Sequence, residues 1–236
     1  MTNAMRARFV GKGSDILSLE GLRMLLWIIS ILGIPFGVRY MYRWAARNIE
    51  LPMGTRIAFA GSVADLYAYG IGFLVISIMD RSTRDEGYSW GFRITLWIAL
   101  IVLQAIISRE YYKWMWRNLA FTSGIRVTFI GRLLPYIGWA VLVGFSFFTI
   151  IGWAWAMTAF LRWQFKHTNV PGYRLSFRGR GVDVLWRSLV GLAGMLAIIP
   201  IPWVVAWVAR WYVHCVEAER TEISGAGILP SAAVGS

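Results

Sequence analysis

Four segments of the chain show the same change of pattern, from a few alternating residues to a long apolar stretch. In the segment 56–61, polar or small residues alternate with Ile57, Phe59 and Gly61, which is the period of a β-strand. The longest uncharged stretches are 24–38, 94–108, 133–161 and 188–209. The pattern predicts short strands that lead into helices apolar enough to enter a membrane.

The strand segments share a motif in which Arg and an apolar residue precede Phe-x-Gly. Four positions after the Gly comes a residue suited to a helix start. Asp can accept hydrogen bonds from the free amide groups there, and Pro lacks an N–H group, which the first turn does not need. The motif residues are Arg6, Phe9 and Gly11; Arg56, Phe59 and Gly61; Arg126, Phe129 and Gly131; Arg174, Phe177 and Gly179. The predicted helix starts are Asp15, Asp65, Pro135 and Asp183.

A second motif, a cation followed by Trp, recurs after each apolar stretch. Its residues are Arg43, Trp44 and Arg47; Lys113, Trp114 and Arg117; Arg162, Trp163 and Lys166; Arg210 and Trp211. Indole rings favour the membrane interface and long cationic side chains reach toward lipid phosphates. We therefore interpret these residues as interface and lipid anchors, with a specific headgroup site between repeats as the alternative.

The order of the two motifs decides how often the chain crosses the membrane. A single crossing per repeat would put successive copies of one basic motif on opposite faces, against the cytoplasmic bias of Lys and Arg. A helical hairpin per repeat, with arms of about 15–18 residues, keeps all copies on one side. The polar insertion 80–92 then falls at a hairpin tip, where insertions are best tolerated.

The sequence thus predicts a mainly α, polytopic integral membrane protein. It has four pseudo-repeats, each a short β-strand followed by a membrane-inserted helical hairpin, giving about eight helices with the strands together on the cytoplasmic face. The repeats span about 4–50, 51–120, 121–170 and 171–220, and 221–236 is a flexible tail. Full spanning and re-entrant hairpins both stay open.

Composition agrees with this class of protein and excludes others. Of 236 residues, 58% are apolar and 15% charged, which does not suit a soluble globular protein. The net charge is +12, but the cations flank apolar stretches as membrane-topology signals do, so we expect no nucleic-acid partner.

Candidate chemistry is sparse. Cys215, His167 and His214 have no metal-ligand spacing, and we expect no catalytic residue, cofactor or metal. Gln104 lies alone within an apolar stretch, where it serves either a helix–helix hydrogen bond or a polar path.

The motifs resemble those of the YjgN-like bacterial inner-membrane proteins, a polytopic family of unknown biochemical function. The match is clearest over 121–216, which contains Thr-Ile-Ile-Gly-Trp at 149–153 and the segment 168–179, and a second match covers 6–61. The Gly turn of the family pattern is replaced by Leu103-Gln104 in the middle of the chain. The resemblance implies the bacterial inner membrane and a duplicated fold, and it brings no catalytic residues.

These observations favour a non-enzymatic structural or accessory subunit that packs against other integral membrane proteins or shapes the bilayer. A transporter or lipid-handling protein with a pathway between the repeats is the alternative. A membrane enzyme ranks third, because no convergent polar site can be assembled from the sequence. Expected partners are membrane lipids and a larger membrane complex.

Overall fold

A computed structural model describes residues 4–16, 33–51, 56–82, 87–122, 124–149, 151–196 and 201–220. This part of the chain is mainly helical, with short strands at one end of the helices. The helices Val63–Arg81 and Trp90–Arg117 are long and apolar enough to cross a membrane. The predicted flexible tail and most of the first helical arm lie outside the described residues.

Along the chain, short strands precede and follow each pair of helices. The first half contains β1 (Ala4–Arg6), β2 (Arg8–Phe9), α1 (Gly13–Ile16), α2 (Ile34–Arg47), β3 (Ile49–Glu50), β4 (Ile57–Phe59), α3 (Val63–Ser82), α4 (Trp90–Arg117) and β5 (Leu119–Phe121). The second half contains β6 (Thr128–Phe129), α5 (Leu133–Ser146), a 3₁₀ turn (Phe147–Thr149), α6 (Trp153–Lys166), β7 (Thr168–Val170), β8 (Tyr173–Phe177), α7 (Gly181–Leu196), α8 (Ile201–His214) and β9 (Val216–Arg220). We number the helix pairs α1–α2, α3–α4, α5–α6 and α7–α8 as the first to fourth hairpins.

Strand pairing shows that each helix pair leaves and returns at the same end. The leading strand of each hairpin is antiparallel to the strand that directly follows it: β2 with β3, β4 with β5, β6 with β7, and β8 with β9. The returning strands were not predicted from the sequence. All the described strands therefore lie at one end of the helices, as the hairpin interpretation requires.

The chain also closes on itself at the strand end. One sheet has the order β1-β9-β8-β7-β6, so the first strand pairs with the last, Ala4 opposite Glu219. A bridge between Ala120 and Arg126 continues the connection toward β5. The helices follow the same circle, since α2 packs on α3, α4 on α5, α6 on α7, and α8 on α1.

The predicted helix starts are confirmed within one turn. The leading helices begin two residues before Asp15, Asp65, Pro135 and Asp183. The observed helices vary more in length than the predicted arms of about 15–18 residues. The helices α3 and α4 have 20 and 28 residues, whereas α5 and α6 have 14 each. The extra length falls in the second hairpin, which carries the polar insertion.

Among the described residues, the buried clusters lie next to the strands. Aromatic residues from strands and returning helices form these clusters, for example Phe59 with Trp114 and Phe165 with Phe177. Farther along the helices large apolar side chains are exposed, including Leu142 at 51% and Leu192 at 60%. Such a surface is unusual for a soluble monomer.

Candidate functional site

In each strand motif the Phe ring packs against the Gly that follows two residues later. Around Gly61, an added Cβ would collide with the Phe59 ring and lie 2.8 Å from the Trp114 ring. The same arrangement joins Phe9, Gly11 and Trp44, and Phe129, Gly131 and Trp163. At the fourth hairpin Gly179 covers Phe177, whose ring meets that of Trp211 edge-on at 6.3 Å. The spacing of the two sequence motifs thus reflects a direct contact between strand and returning helix.

This contact corrects the anchor interpretation for two of the four tryptophans. Trp44 and Trp114 are only 7% and 3% exposed, so their rings fill the core and do not lie in the lipid interface. Trp163 and Trp211 are partly buried. An Arg-Trp pair at the end of an apolar helix has the composition of an interface anchor, and only the distant Phe-x-Gly segment shows that the ring is a packing residue.

Most cations of the Arg-Trp motif are exposed, and some of the exposed ones also make hydrogen bonds. Arg43, Arg47, Arg117 and Lys166 are exposed at the strand end, whereas Lys113 is half-buried and pairs with Glu110 at 3.1 Å. The strand-motif residues Arg56, Arg126 and Arg174 are exposed as well, and the side chain of Arg6 lies outside the described residues. The strand end therefore carries much of the positive charge.

Arginines link neighbouring hairpins through the carbonyl oxygens of the motif glycines. Arg162 donates to Gly179 at 2.9 Å, and Arg210 donates to Gly11 at 3.2 Å, which joins the last hairpin to the first. Between the second and third hairpins Arg109, one turn before Lys113, donates to Gly131 at 2.7 and 3.0 Å. Sequence reasoning missed Arg109, although its place one turn before the motif cation was a usable signal.

The acidic helix starts have three different partners. Asp15 accepts from the Lys12 amide at 2.9 Å, which is a capping contact. Asp65 accepts from the Trp114 indole at 2.9 Å. Asp183 pairs with Arg187 at 3.1 Å, and that guanidinium also lies over the Trp211 ring. Pro135 occupies the same place in the third hairpin, as expected for a residue without an amide donor.

The structural roles of two further sets of polar residues were not predicted from the sequence. Asn118 and His167, each four residues after the motif Trp, bond back to its carbonyl oxygen at 2.8 Å and so close the returning helix. Glu217 is 2% exposed on β9 and pairs with Arg178 at 2.6 Å. These residues stabilise the strand end and offer no free reactive group.

The second hairpin contains a groove between its arms. Its volume is about 270 Å³, and Phe73, Ser77 and Asp80 of α3 face Trp97 and Gln104 of α4 across it. The Ser77 hydroxyl donates to the Phe73 carbonyl at 2.9 Å, which leaves its oxygen able to accept. Among the described residues none hydrogen-bonds to the Gln104 amide, so the predicted helix–helix bond is not formed there. We call this feature the hairpin groove.

The arrangement as a whole is suited to packing and binding. Within the described ranges no group of three His, Cys, Asp or Glu side chains is placed to hold a metal. Cys215 is buried next to β9, and desolvation raises the pKa of its thiol, which disfavours the reactive thiolate.

No family model, no curated protein and no solved structure matches this chain.

Proposed function

We propose that the chain is a polytopic protein of the bacterial inner membrane, built from four pseudo-repeats. The repeats span about 4–50, 51–120, 121–170 and 171–220, and their strands lie on the cytoplasmic face. The two long apolar helices of the second hairpin support the membrane location, and the positive charge at the strand end supports the orientation. The recurring Phe–Gly–Trp contact supports the duplication.

The proposed role is that of a non-enzymatic scaffold or accessory subunit that packs against other integral membrane proteins or shapes the bilayer. One observation carries it: the hairpins hold their core at the strand end and leave apolar side chains exposed along their length, such as Ile71, Leu142 and Leu192. Exposed apolar helix faces in a membrane are available to lipids and to partner helices.

Purification in a mild detergent followed by mass spectrometry tests the scaffold role. We expect another integral membrane protein to be recovered in stoichiometric amount, and Leu142→Trp together with Leu192→Trp to reduce that recovery several-fold. Thr128→Ala, which alters an exposed position of the strand end, is the matched control. A protein that elutes alone and leaves the shape of reconstituted vesicles unchanged would contradict the role.

The hairpin groove favours a second candidate, a transporter or lipid-handling protein. Ser77, Asp80 and Gln104 place polar side chains along an apolar hairpin, and polar side chains within membrane helices often mark a pathway. Asp65 is unsuited to a pathway because its carboxylate is bonded to Trp114. Transport into vesicles should therefore be lost in Gln104→Leu and kept in Asp65→Asn variants that remain folded; unchanged transport in Gln104→Leu argues against this candidate.

A further inference from the structure

Three of the four junctions between neighbouring hairpins share one arginine contact. The arginine lies either one residue before the motif Trp, as at Arg162 and Arg210, or five residues before it, as at Arg109. In each case the guanidinium donates to the carbonyl oxygen of the motif Gly of the next hairpin. The remaining junction, where α2 of the first hairpin packs on β4 and α3 of the second, departs from this pattern.

The first hairpin has an arginine at both of these positions. Arg39 and Arg43 lie five residues and one residue before its motif Trp, one turn apart on the same face of α2. In the part of the chain that the structure describes, neither guanidinium hydrogen-bonds to the Gly61 carbonyl oxygen, and the Arg39 Nε is buried without a partner. A hydrogen bond of 2.5 Å between the hydroxyls of Tyr42 and Tyr111 crosses this junction instead.

The second hairpin shows how such a pair of cations is neutralised within the protein. Its equivalent residues Arg109 and Lys113 both pair with Glu110, at 2.6 and 3.1 Å. Glu110 lies four residues before the motif Trp, and in the first hairpin Tyr40 occupies that place. Among the described residues no carboxylate pairs with either arginine of α2. Since like charges on adjacent turns repel each other, the first hairpin lacks an anion that the second one contains.

A lipid phosphate can supply the missing negative charge. Its oxygens accept hydrogen bonds from guanidinium groups, often two in parallel. Arg43 is exposed near the strand end of α2, and Arg39 lies one turn farther from that end, within reach of the headgroup region for a long side chain. An anionic lipid fits better than a zwitterionic one, because the ammonium group of the latter would add a third cation to the cluster.

We propose that the junction of the first and second hairpins binds the phosphate group of an anionic membrane lipid, of the phosphatidylglycerol class. Arg39 and Arg43 donate to the phosphate oxygens, and the phosphate neutralises them as Glu110 neutralises Arg109 and Lys113. The inference rests on the membrane location proposed above and adds a ligand to the first hairpin.

Native mass spectrometry of the full chain tests this binding. The protein is reconstituted into vesicles that contain phosphatidylglycerol and phosphatidylcholine of identical acyl chains in equal amounts, and it is then extracted in mild detergent. We expect the wild type to retain the glycerol lipid about tenfold over the choline lipid, and Arg39→Gln to bring this ratio close to one. Tyr40→Glu should do the same, because its carboxylate can pair with both arginines as Glu110 does in the second hairpin.

Matched variants separate a defined site from general attraction to a basic protein. Tyr40 packs against the buried cluster of the first hairpin, and Tyr40→Gln loses that contact as Tyr40→Glu does but adds no charge, so it should keep the wild-type ratio. Arg126→Gln removes an exposed cation of the strand end in the third hairpin and should also keep it. A fall in the ratio for Arg126→Gln as large as that for Arg39→Gln would overturn the site, because retention would then follow total charge.

The remaining outcomes distinguish this inference from the membrane proposal. Failure of the wild type to float with the vesicles contradicts the membrane proposal itself, whereas flotation with equal retention of both lipids overturns the phosphate site alone. Displacement of the lipid by millimolar inorganic phosphate, but not by chloride of equal ionic strength, also overturns it, because the site then recognises a free anion. If Tyr40→Glu does not fold, as judged by circular dichroism, the comparison of Arg39→Gln with Arg126→Gln decides.

Discussion

The second and third hairpins begin from the same contact at the strand end and differ in almost everything beyond it. At the base of each, a Phe ring lies under a Gly and against the motif Trp: Phe59 and Gly61 with Trp114, Phe129 and Gly131 with Trp163. The arms of the second have 20 and 28 residues, about 30 and 42 Å at about 1.5 Å per residue. Those of the third have 14 each, about 21 Å, against a hydrocarbon core of about 30 Å. The Phe–Gly–Trp contact at the strand end is therefore common to both hairpins, and the hairpins differ in length at the opposite end.

The space between the arms differs as well. In the third hairpin Tyr136 and Trp139 of α5 contact the Phe160 ring of α6, and the Gln164 amide donates to the Tyr136 hydroxyl at 3.4 Å. In the second hairpin Ser77 and Gln104 line an open groove instead. A hairpin joined to the strand end in the same way thus has either a packed seam or an open groove between its arms, depending on the side chains that face each other.

Removal of the motif Trp should have the largest effect and should distinguish the two bases. Trp114→Ala should destabilise the protein by about 3–5 kcal/mol, because it removes a buried ring and the partner of Asp65. Trp163→Ala should cost less, since that ring is only partly buried. Chemical unfolding in detergent followed by circular dichroism measures both, with Trp→Phe variants as controls that keep most of the ring. Equal losses would show that burial does not set the difference.

Substitution of the arginines that link neighbouring hairpins should have the second-largest effect. Arg109 is only 14% exposed and gives two hydrogen bonds to Gly131, so Arg109→Gln should cost about 1.5–3 kcal/mol. Arg162 is exposed and gives a single bond to Gly179, and Arg162→Gln should cost under about 1 kcal/mol. The same unfolding assay measures both, and the reverse order would contradict the role of burial at the junctions.

A methyl group at the motif glycines should act equally on both hairpins. Gly61→Ala and Gly131→Ala should each destabilise by about 1–3 kcal/mol, because the new Cβ meets a Phe and a Trp ring at once. Gly138→Ala in α5 has open space around it and should be neutral or stabilising by up to about 1 kcal/mol. A shift in thermal midpoint for Gly138→Ala as large as that for Gly131→Ala would mean that the glycines act through helix propensity and not through close contact.

Substitution of the residues that cap the C-termini of the returning helices should have the smallest effect. Asn118→Ala and His167→Ala each remove one side-chain bond to a Trp carbonyl, so we expect losses of about 0.5–1.5 kcal/mol. His167→Asn should restore most of the loss, since Asn makes the same bond in the second hairpin. Lack of rescue in the unfolding assay would show that the His ring acts through its contact with Trp163 instead.

The sequence predicts those parts of the fold that depend on residues close together in the chain or on a recurring motif. The position of Asp65 or Pro135 after Phe-x-Gly marks a helix start, and the common end of the hairpins follows from where the cations recur. Three returning strands escaped because β3 has two residues and β5 and β7 have three each, too few for alternation to show, whereas β9 has five and alternates apolar residues with Glu217 and Glu219. The groove escaped because Asp80 and Gln104 are far apart in sequence and meet only through the register of α3 against α4.

The measurement that most directly tests the account is cysteine labelling in intact cells with a membrane-impermeant maleimide. Cys215 is the only cysteine, so a Cys215→Ser background permits single probes. The account predicts that Gly87→Cys, near the tip of the second hairpin, reacts in intact cells. Thr122→Cys, at the strand end, should react only after the membrane is opened, and Phe148→Cys, at the short third tip, should react slowly because it stays within the lipid. Labelling of Thr122→Cys in intact cells, or protection of Gly87→Cys, would contradict a protein whose strands share the cytoplasmic side.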